Sequence, residues 1–164
     1  MKEIFDLIKR EGDTKEWIYT CENGIQFKCY IRRVPRSGHL CGYVHLTPDN
    51  DYYGYEYDDI PVNCHGGLTY GSEHDNEWVI GFDCAHYQDL QPFYTEQELY
   101  SGAENQYRDM EFVKKECESI CEQISIKSKS HQRTNKLNLL VWNTSYNYLF
   151  TYLLSFQFYS LLLD

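Results

Sequence analysis

The chain has 164 residues and a formal charge of −10, which fits one domain with a hydrophobic core of its own. Residues 127–164 contain four basic residues and one acid, so the preceding 126 residues carry −13. Such an acidic body repels phosphate backbones, which excludes general nucleic-acid binding. An acidic surface can instead imitate nucleic acid for a basic partner protein, and this alternative stays open.

The seven cysteines predict a reducing compartment. Their number is odd, their spacing forms no disulfide framework, and the residues after Met1 lack the charged and apolar regions of a secretory signal. We therefore expect a cytoplasmic protein in which most cysteines are small buried hydrophobes.

The first third of the chain predicts a helix and a hairpin. Apolar residues at helical spacing predict a short amphipathic helix over residues 2–11. Residues 16–21 and 25–31 flank Asn23 and Gly24, and this dipeptide predicts a tight hairpin turn with positive φ at both central residues.

A third strand and a tyrosine-rich loop follow. Residues 39–46 alternate between two faces and predict a strand. Residues 51–62 hold four tyrosines among acidic residues, which predicts an ordered surface loop, because tyrosine buries its ring and keeps its hydroxyl in water. Loops of this kind commonly carry function, and a loop that only seals the sheet edge is an equal alternative.

Two apolar runs predict a second hairpin. Residues 64–71 and 78–86 surround a polar run of turn formers over residues 72–77. The second run is apolar on both alternating faces, so we expect this hairpin to lie in the middle of the sheet.

The predicted fold class is α+β. A capping box over residues 95–98 predicts a short helix, and residues 106–124 predict a long amphipathic helix. We expect a mainly antiparallel sheet of about five strands with the long helix across one face and the short helix at the N-terminus. Residues 1–126 would form this single domain. The apolar stripe of the long helix comprises Met110, Val113, Cys117, Ile120, Cys121 and Ile124.

The chain changes character beyond this domain. Residues 127–136 predict a basic linker, and residues 137–164 an apolar tail that is uncharged up to position 163. Three interpretations of the tail stay open: an accidental extension of the reading frame, a weak membrane anchor, or a packed helix. Membrane contact would occur only through residues 137–163.

The two runs of the second hairpin carry a resemblance. His65 to Tyr70 reads HGGLTY, and Trp78 to His86 reads WVIGFDCAH. Over about residues 16–124 the sequence resembles a family of small phage, prophage and bacterial proteins of unknown function. The resemblance implies a setting on a mobile element and a role against host defence, but no mechanism.

The main functional hypothesis is a binding site for a small polar ligand, such as a nucleotide-derived molecule, at the mouth of the second hairpin. Adjacent glycines let a ligand approach the backbone, polar side chains can bond to it, and loop tyrosines can stack on it. Phosphate partners could be Arg32, Arg33, Arg36 and Arg108. The candidate ligand-binding residues are His65, Gly66, Gly67, Thr69, Asp83, His86, Arg108 and Tyr53.

The first alternative is a metal- or cysteine-dependent hydrolase at the same hairpin. Two thiolates and two imidazoles could bind zinc, although the spacing lacks a C-x2-C pair. The candidate zinc ligands are Cys64, His65, Cys84 and His86.

Two further versions of the hydrolase need no metal. Cys84 could be a nucleophile paired with one of the two histidines, which Asp83 or Asp89 would orient. His65, His86 and Asp83 could instead hydrolyse a phosphoester by acid–base catalysis.

The last alternative is an acidic module that binds a host protein. In this interpretation the histidines are satisfied structural residues at strand ends, and the glycine pair is a bulge.

Overall fold

The computed structural model describes residues 1–94 and 105–125. Helix α2 covers residues 110–125. The elements before it are helix α1 (Lys2–Glu11), strands β1 (Thr14–Thr20), β2 (Gln26–Arg33) and β3 (Leu40–Leu46), a 3-10 turn (Tyr57–Asp59), and strands β4 (Tyr70–His74) and β5 (Glu77–Asp83). The predicted α+β class, with five antiparallel strands, a long helix and a short N-terminal helix, is confirmed.

The strand order of the sheet is β1-β2-β3-β5-β4, and every neighbouring pair is antiparallel. The expectation that the second hairpin lies in the middle of the sheet is therefore wrong, because β3 is central and β4 is an edge strand. Strand β5 is apolar on both faces because it lies inside the sheet, between β3 and β4. Its hairpin partner β4 is more polar and lies at the edge of the sheet.

The tight turn with positive φ at both central residues lies in the second hairpin. Asp75 and Asn76 have φ of 51° and 63° and join β4 to β5, so both strands extend into the predicted connection. In the first hairpin only Gly24, at φ 84°, is left-handed. Asn23 there accepts a hydrogen bond at Oδ1 from the backbone N–H of Ile25 at 2.9 Å. The side chain thus stabilises the turn while Asn23 itself keeps negative φ.

Helix α2 lies across one face of the sheet. All six residues of its predicted apolar stripe are buried in the same hydrophobic cluster as the inward residues of β2, β3 and β5. Cys121 Sγ lies 3.6 Å from Cys29 Sγ on β2. The helix begins at residue 110, later than predicted. Asp109 caps it by accepting a hydrogen bond from the N–H of Phe112 at 2.8 Å.

Three predicted segments lie outside the described residues. They are the short helix that begins in residues 95–98, the linker over residues 127–136 and the tail over residues 137–164. Within residues 1–94 and 105–125, no helix has the length and apolar character needed to span a bilayer.

Candidate functional site

Asp89 joins three segments of the chain just beyond the end of β5. Its side chain is only 1% exposed. Oδ2 accepts hydrogen bonds from Nε2 of His65 at 2.7 Å and from the backbone N–H of His86 at 3.1 Å. Oδ1 accepts a hydrogen bond from Nε of Arg108 at 2.9 Å.

The carboxyl group of Asp89 is ionised although it is buried. Burial raises its pKa, but the hydrogen bonds from His65, Arg108 and the backbone of His86 outweigh this effect. The pKa of Asp89 therefore lies below its ordinary value. Because an ionised carboxylate only accepts hydrogen bonds, the proton between Asp89 and His65 belongs to Nε2 of the imidazole.

The second histidine of the cluster has a nitrogen without a partner. The rings of His65 and His86 are 5.5 Å apart and nearly perpendicular, at 87°. Nδ1 of His86 lies 3.7 Å from Oδ2 of Asp89 and 3.9 Å from Oδ1 of Asp83. It is buried and has no hydrogen-bond partner among the described residues. Such an orphaned polar atom is uncommon in a folded protein.

The glycine pair shapes this cluster, whereas the sequence suggested that it admits a ligand. Gly66 has φ of +68°, and a Cβ there would lie 2.1 Å from Cε1 of His86. Only glycine lets the loop rest against that ring. Gly67 also has positive φ, +84°, but a Cβ there would meet nothing within 4 Å. Gly66 therefore positions His86, whereas Gly67 only allows the backbone of this loop to turn with positive φ.

The remaining predicted ligand-binding residues are distributed differently from the expectation. His65, His86 and Arg108 converge, but on Asp89 rather than on Asp83. Asp83 accepts hydrogen bonds from the hydroxyl of Thr69 at 2.8 Å and from the N–H of Ala85 at 3.0 Å. Tyr53 lies beside the β4–β5 turn, where its hydroxyl bonds to Glu73 at 3.2 Å.

The thiols of Cys64 and Cys84 are protonated. Burial is the main cause that raises the pKa of Cys64 to about 11, and the nearby Glu116 carboxylate adds to it. Cys84 is 2% exposed, and burial raises the pKa of its thiol further above the ordinary value. A nucleophilic or zinc-bound cysteine acts as a thiolate. The group of potential metal ligands within the described residues consists of His65, His86 and Asp89, so an aspartate replaces the predicted cysteines.

A second feature is a groove on the sheet face opposite α2. Its volume is about 340 Å³. The outward residues of four adjacent strands form it, because register places the same side of β2, β3, β5 and β4 next to one another. The lining residues are Tyr30, Arg32, Tyr43, His45, Tyr70, His74 and Val79.

Three tyrosine rings form the floor of this groove. Tyr30 and Tyr43 stack with centroids 6.0 Å apart and an angle of 28°. Tyr43 and Tyr70 meet edge to face at 5.5 Å and 86°. Burial raises the pKa of Tyr43 above its ordinary value, so its hydroxyl stays a hydrogen-bond donor.

The basic side chains of the groove differ in their partners. Nδ1 of His45 lies 2.7 Å from Oε2 of Glu77, and Nε2 of His74 bonds to the hydroxyl of Tyr70. The exposed guanidinium of Arg32 has neither an ion pair nor a hydrogen bond with any residue of 1–94 or 105–125. This unpaired cation lines the groove and is available to an anionic ligand.

Comparisons with protein-family models, curated proteins and solved structures gave no match.

Sequence patterns did not predict the groove or the centre of the cluster. The alternation of β2 placed Arg32 on a solvated face, but only strand register brings Tyr30, Tyr43 and Tyr70 together. Asp89 appeared in the sequence as one of two carboxylates that could orient a histidine. Its burial between separate segments is a tertiary property.

Proposed function

We propose that the protein binds a small polar ligand, nucleotide-derived, in the groove on the open face of the sheet. The observation that carries this proposal is the unpaired guanidinium of Arg32 beside a floor of tyrosine rings. The hypothesis drawn from the sequence placed such a ligand at the mouth of the second hairpin. The groove is the better candidate because it combines volume, aromatic surface and a free cation.

The aromatic floor suits a flat heterocycle. Any nucleobase can stack on tyrosine, whatever hydrogen-bond donors and acceptors the base carries, because every base has an aromatic face. The hydroxyls of Tyr30, Tyr43 and Tyr70 add hydrogen-bonding groups at the edges of the rings.

Arg32 suits a phosphate. A guanidinium group binds phosphate oxygens through two parallel hydrogen bonds, and it stays charged at every physiological pH. The volume of about 340 Å³ lies at the small end of ligand-binding pockets, which span about 300–1,000 Å³. This favours a mononucleotide or a cyclic nucleotide over a dinucleotide.

The resemblance to small phage and prophage proteins supplies a biological setting for this proposal. A protein that binds a nucleotide signal of the host removes that signal from its receptor without any catalytic step. A role against host defence is thus compatible with a binding protein. This role follows from the resemblance and not from the geometry of the groove.

Isothermal titration calorimetry of the full chain tests the proposal. The panel consists of mononucleotides, cyclic mononucleotides, the corresponding nucleosides and inorganic phosphate. We expect one site per chain, micromolar affinity for at least one phosphorylated member, and weaker binding of its nucleoside. Recovery of the ligand intact after incubation separates binding from hydrolysis.

A matched pair of arginine variants locates the site. Arg32→Gln is expected to weaken binding at least tenfold, about 1.4 kcal/mol, because it removes the phosphate partner. Arg36→Gln changes another exposed arginine that does not line the groove and should leave the affinity unchanged. Absence of binding throughout the panel, or equal affinities of the two variants, would overturn the proposal. Capture of a basic protein together with no small-molecule binding would support the acidic interaction module instead.

A further inference from the structure

We propose that His65, His86 and Asp89 form a binding site for a divalent transition metal, with zinc as the preferred ion. The site is separate from the groove and does not depend on the proposed ligand. It lies where β5 leaves the sheet, on residues that the sequence grouped with cysteines.

The distances between the three side chains fit a single ion. One ligand atom from each residue can be chosen so that all three lie within 4.8 Å of one another. Ligands about 2.1 Å from a tetrahedral zinc lie about 3.4 Å apart. Nδ1 of His86 is 3.7 Å from Oδ2 of Asp89, which requires a shift of a few tenths of an ångström. Nε2 of His65, at 2.7 Å from the same oxygen, must move outward by somewhat more.

An independent observation favours a ligand at this place. Nδ1 of His86 is buried and lacks a hydrogen-bond partner among the described residues, although two carboxylate oxygens lie within 4 Å of it. A metal ion between the imidazole and Asp89 would satisfy this nitrogen. The cluster therefore contains one buried nitrogen, Nδ1 of His86, that is not hydrogen-bonded and lies near two carboxylates.

Surrounding residues hold the three side chains in place. Arg108 occupies Oδ1 of Asp89 and leaves Oδ2 facing the histidines. The backbone N–H of His65 donates to Oε2 of Glu116 on α2 at 2.7 Å, and Gly66 rests against the ring of His86. Contacts of this kind around metal ligands fix their orientation and strengthen binding.

The donor set determines the class of metal. Two imidazole nitrogens and one carboxylate oxygen suit zinc, iron(II), cobalt(II) and nickel(II), whereas magnesium and calcium prefer oxygen donors alone. Three protein ligands leave a fourth position for water, as in catalytic zinc sites. Oδ1 of Asp83, 3.9 Å from Nδ1 of His86, belongs to a further carboxylate beside the cluster.

Coordination would change the tautomer of His65. Nε2 of His65 donates a hydrogen bond to Asp89 in the metal-free protein, so binding a metal through this nitrogen requires the imidazole to carry its proton on Nδ1 instead. The imidazole stays neutral in both states, and no oxidation or reduction takes place.

Titration of the chelator-treated full chain with zinc chloride tests the site. We expect one zinc per chain with submicromolar affinity. Cobalt(II) gives a second readout, since coordination produces visible absorption bands. His86→Gln is expected to weaken zinc binding at least 100-fold, whereas His74→Gln removes an exposed histidine outside the cluster and should have no effect.

An NMR measurement on the wild-type chain tests the site even if the variants misfold. Zinc should shift the imidazole nitrogen resonances of His65 and His86 and leave that of His74 unchanged. Retained affinity in both His86→Gln and Asp89→Asn, or absence of zinc binding in the wild type, would overturn the proposal. Nucleotide titrations repeated with excess chelator keep the two sites distinguishable, because groove binding should persist without metal.

Discussion

The ring of Tyr43 occupies the space in which a side chain at position 81 would lie. A Cβ on Gly81 would be 2.6 Å from Cδ1 of Tyr43 and 2.8 Å from the carbonyl oxygen of Gly42. We expect Gly81→Ala to push this ring into the groove and to destabilise the fold by about 1–3 kcal/mol, as overpacking does. Urea denaturation measures the stability, and calorimetry with the best ligand of the panel measures the loss of affinity.

Gly71→Ala is the matched control for this substitution. Gly71 lies on the neighbouring strand β4, and a Cβ there would make an ordinary contact at 3.4 Å with Cβ of Tyr57. The stability of this variant should stay within about 1 kcal/mol of the wild type, with unchanged ligand affinity. Equal effects of the two substitutions would show that Tyr43 does not depend on Gly81 for its position.

Loss of the ion pair between Arg33 and Glu11 should lower the stability of the fold strongly. Nη2 of Arg33 lies 3.1 Å from Oε2 of Glu11, and the two side chains are 1% and 11% exposed. Arg33 also donates to the carbonyl oxygen of Gly38 and to the hydroxyl of Tyr107. Arg33→Met leaves the buried carboxylate of Glu11 without its cationic partner. This is expected to lower the free energy of unfolding by about 3–5 kcal/mol. Thermal and urea unfolding measure this change.

A double variant separates the charge from the packing. In Arg33→Met with Glu11→Leu no lone carboxylate remains, so part of the lost stability should return. Arg36→Met, at an exposed position, serves as the control and should stay within about 0.5 kcal/mol of the wild type. A double variant that is less stable than Arg33→Met by the full effect of Glu11→Leu would contradict the assigned role of the ion pair.

Most of the fold could be predicted because the local patterns report burial directly. In β2 the apolar residues Phe27, Cys29 and Ile31 alternate with polar ones, and each of the three is buried as expected. The stripe of α2 behaves in the same way. Arg33 departs from its local pattern, since it takes an inward position of β2 and is 3% exposed. Its partners include Glu11 of α1 and Tyr107, which no local pattern of β2 contains.

The candidate sites were harder to predict because they depend on tertiary contacts. The sequence brought forward His65 and His86, since both follow or precede glycine-rich apolar runs. It favoured Asp83 as a ligand-binding residue over Asp89, although both carboxylates lie within three residues of His86 in the chain. The preference for Asp89 comes from Arg108, which approaches from the segment before α2.

The cysteines should react slowly with thiol reagents in the native protein. Cys64 is half-buried with a pKa raised to about 11, so only about one part in 10,000 of its thiol is ionised at pH 7. All six other cysteines are buried. We expect negligible labelling by Ellman's reagent within minutes at neutral pH and labelling of seven thiols in denaturant. Rapid native labelling of Cys84, identified by mass spectrometry, would restore the cysteine-dependent hydrolase as an alternative.

Burial of His39 should make the protein less stable in mild acid. Burial lowers the pKa of this imidazole, and His86 nearby acts in the same direction, although Asp83 and Asp89 oppose the shift. As the pH falls below about 6.5, the unfolded chain therefore takes up a proton at this position before the native protein does. Native stability declines through this interval until the pH reaches the lowered native pKa.

The variant His39→Gln removes this titration and keeps a hydrogen-bonding side chain next to Ser37, whose hydroxyl lies 2.7 Å from Nδ1 of His39. Unfolding free energies from urea titrations between about pH 7.5 and about pH 5.5 should fall more steeply for the wild type than for His39→Gln. His74→Gln controls for the loss of a histidine at an exposed position and should follow the wild-type slope. Parallel curves for the wild type and His39→Gln would show that this imidazole titrates alike in the native and unfolded states.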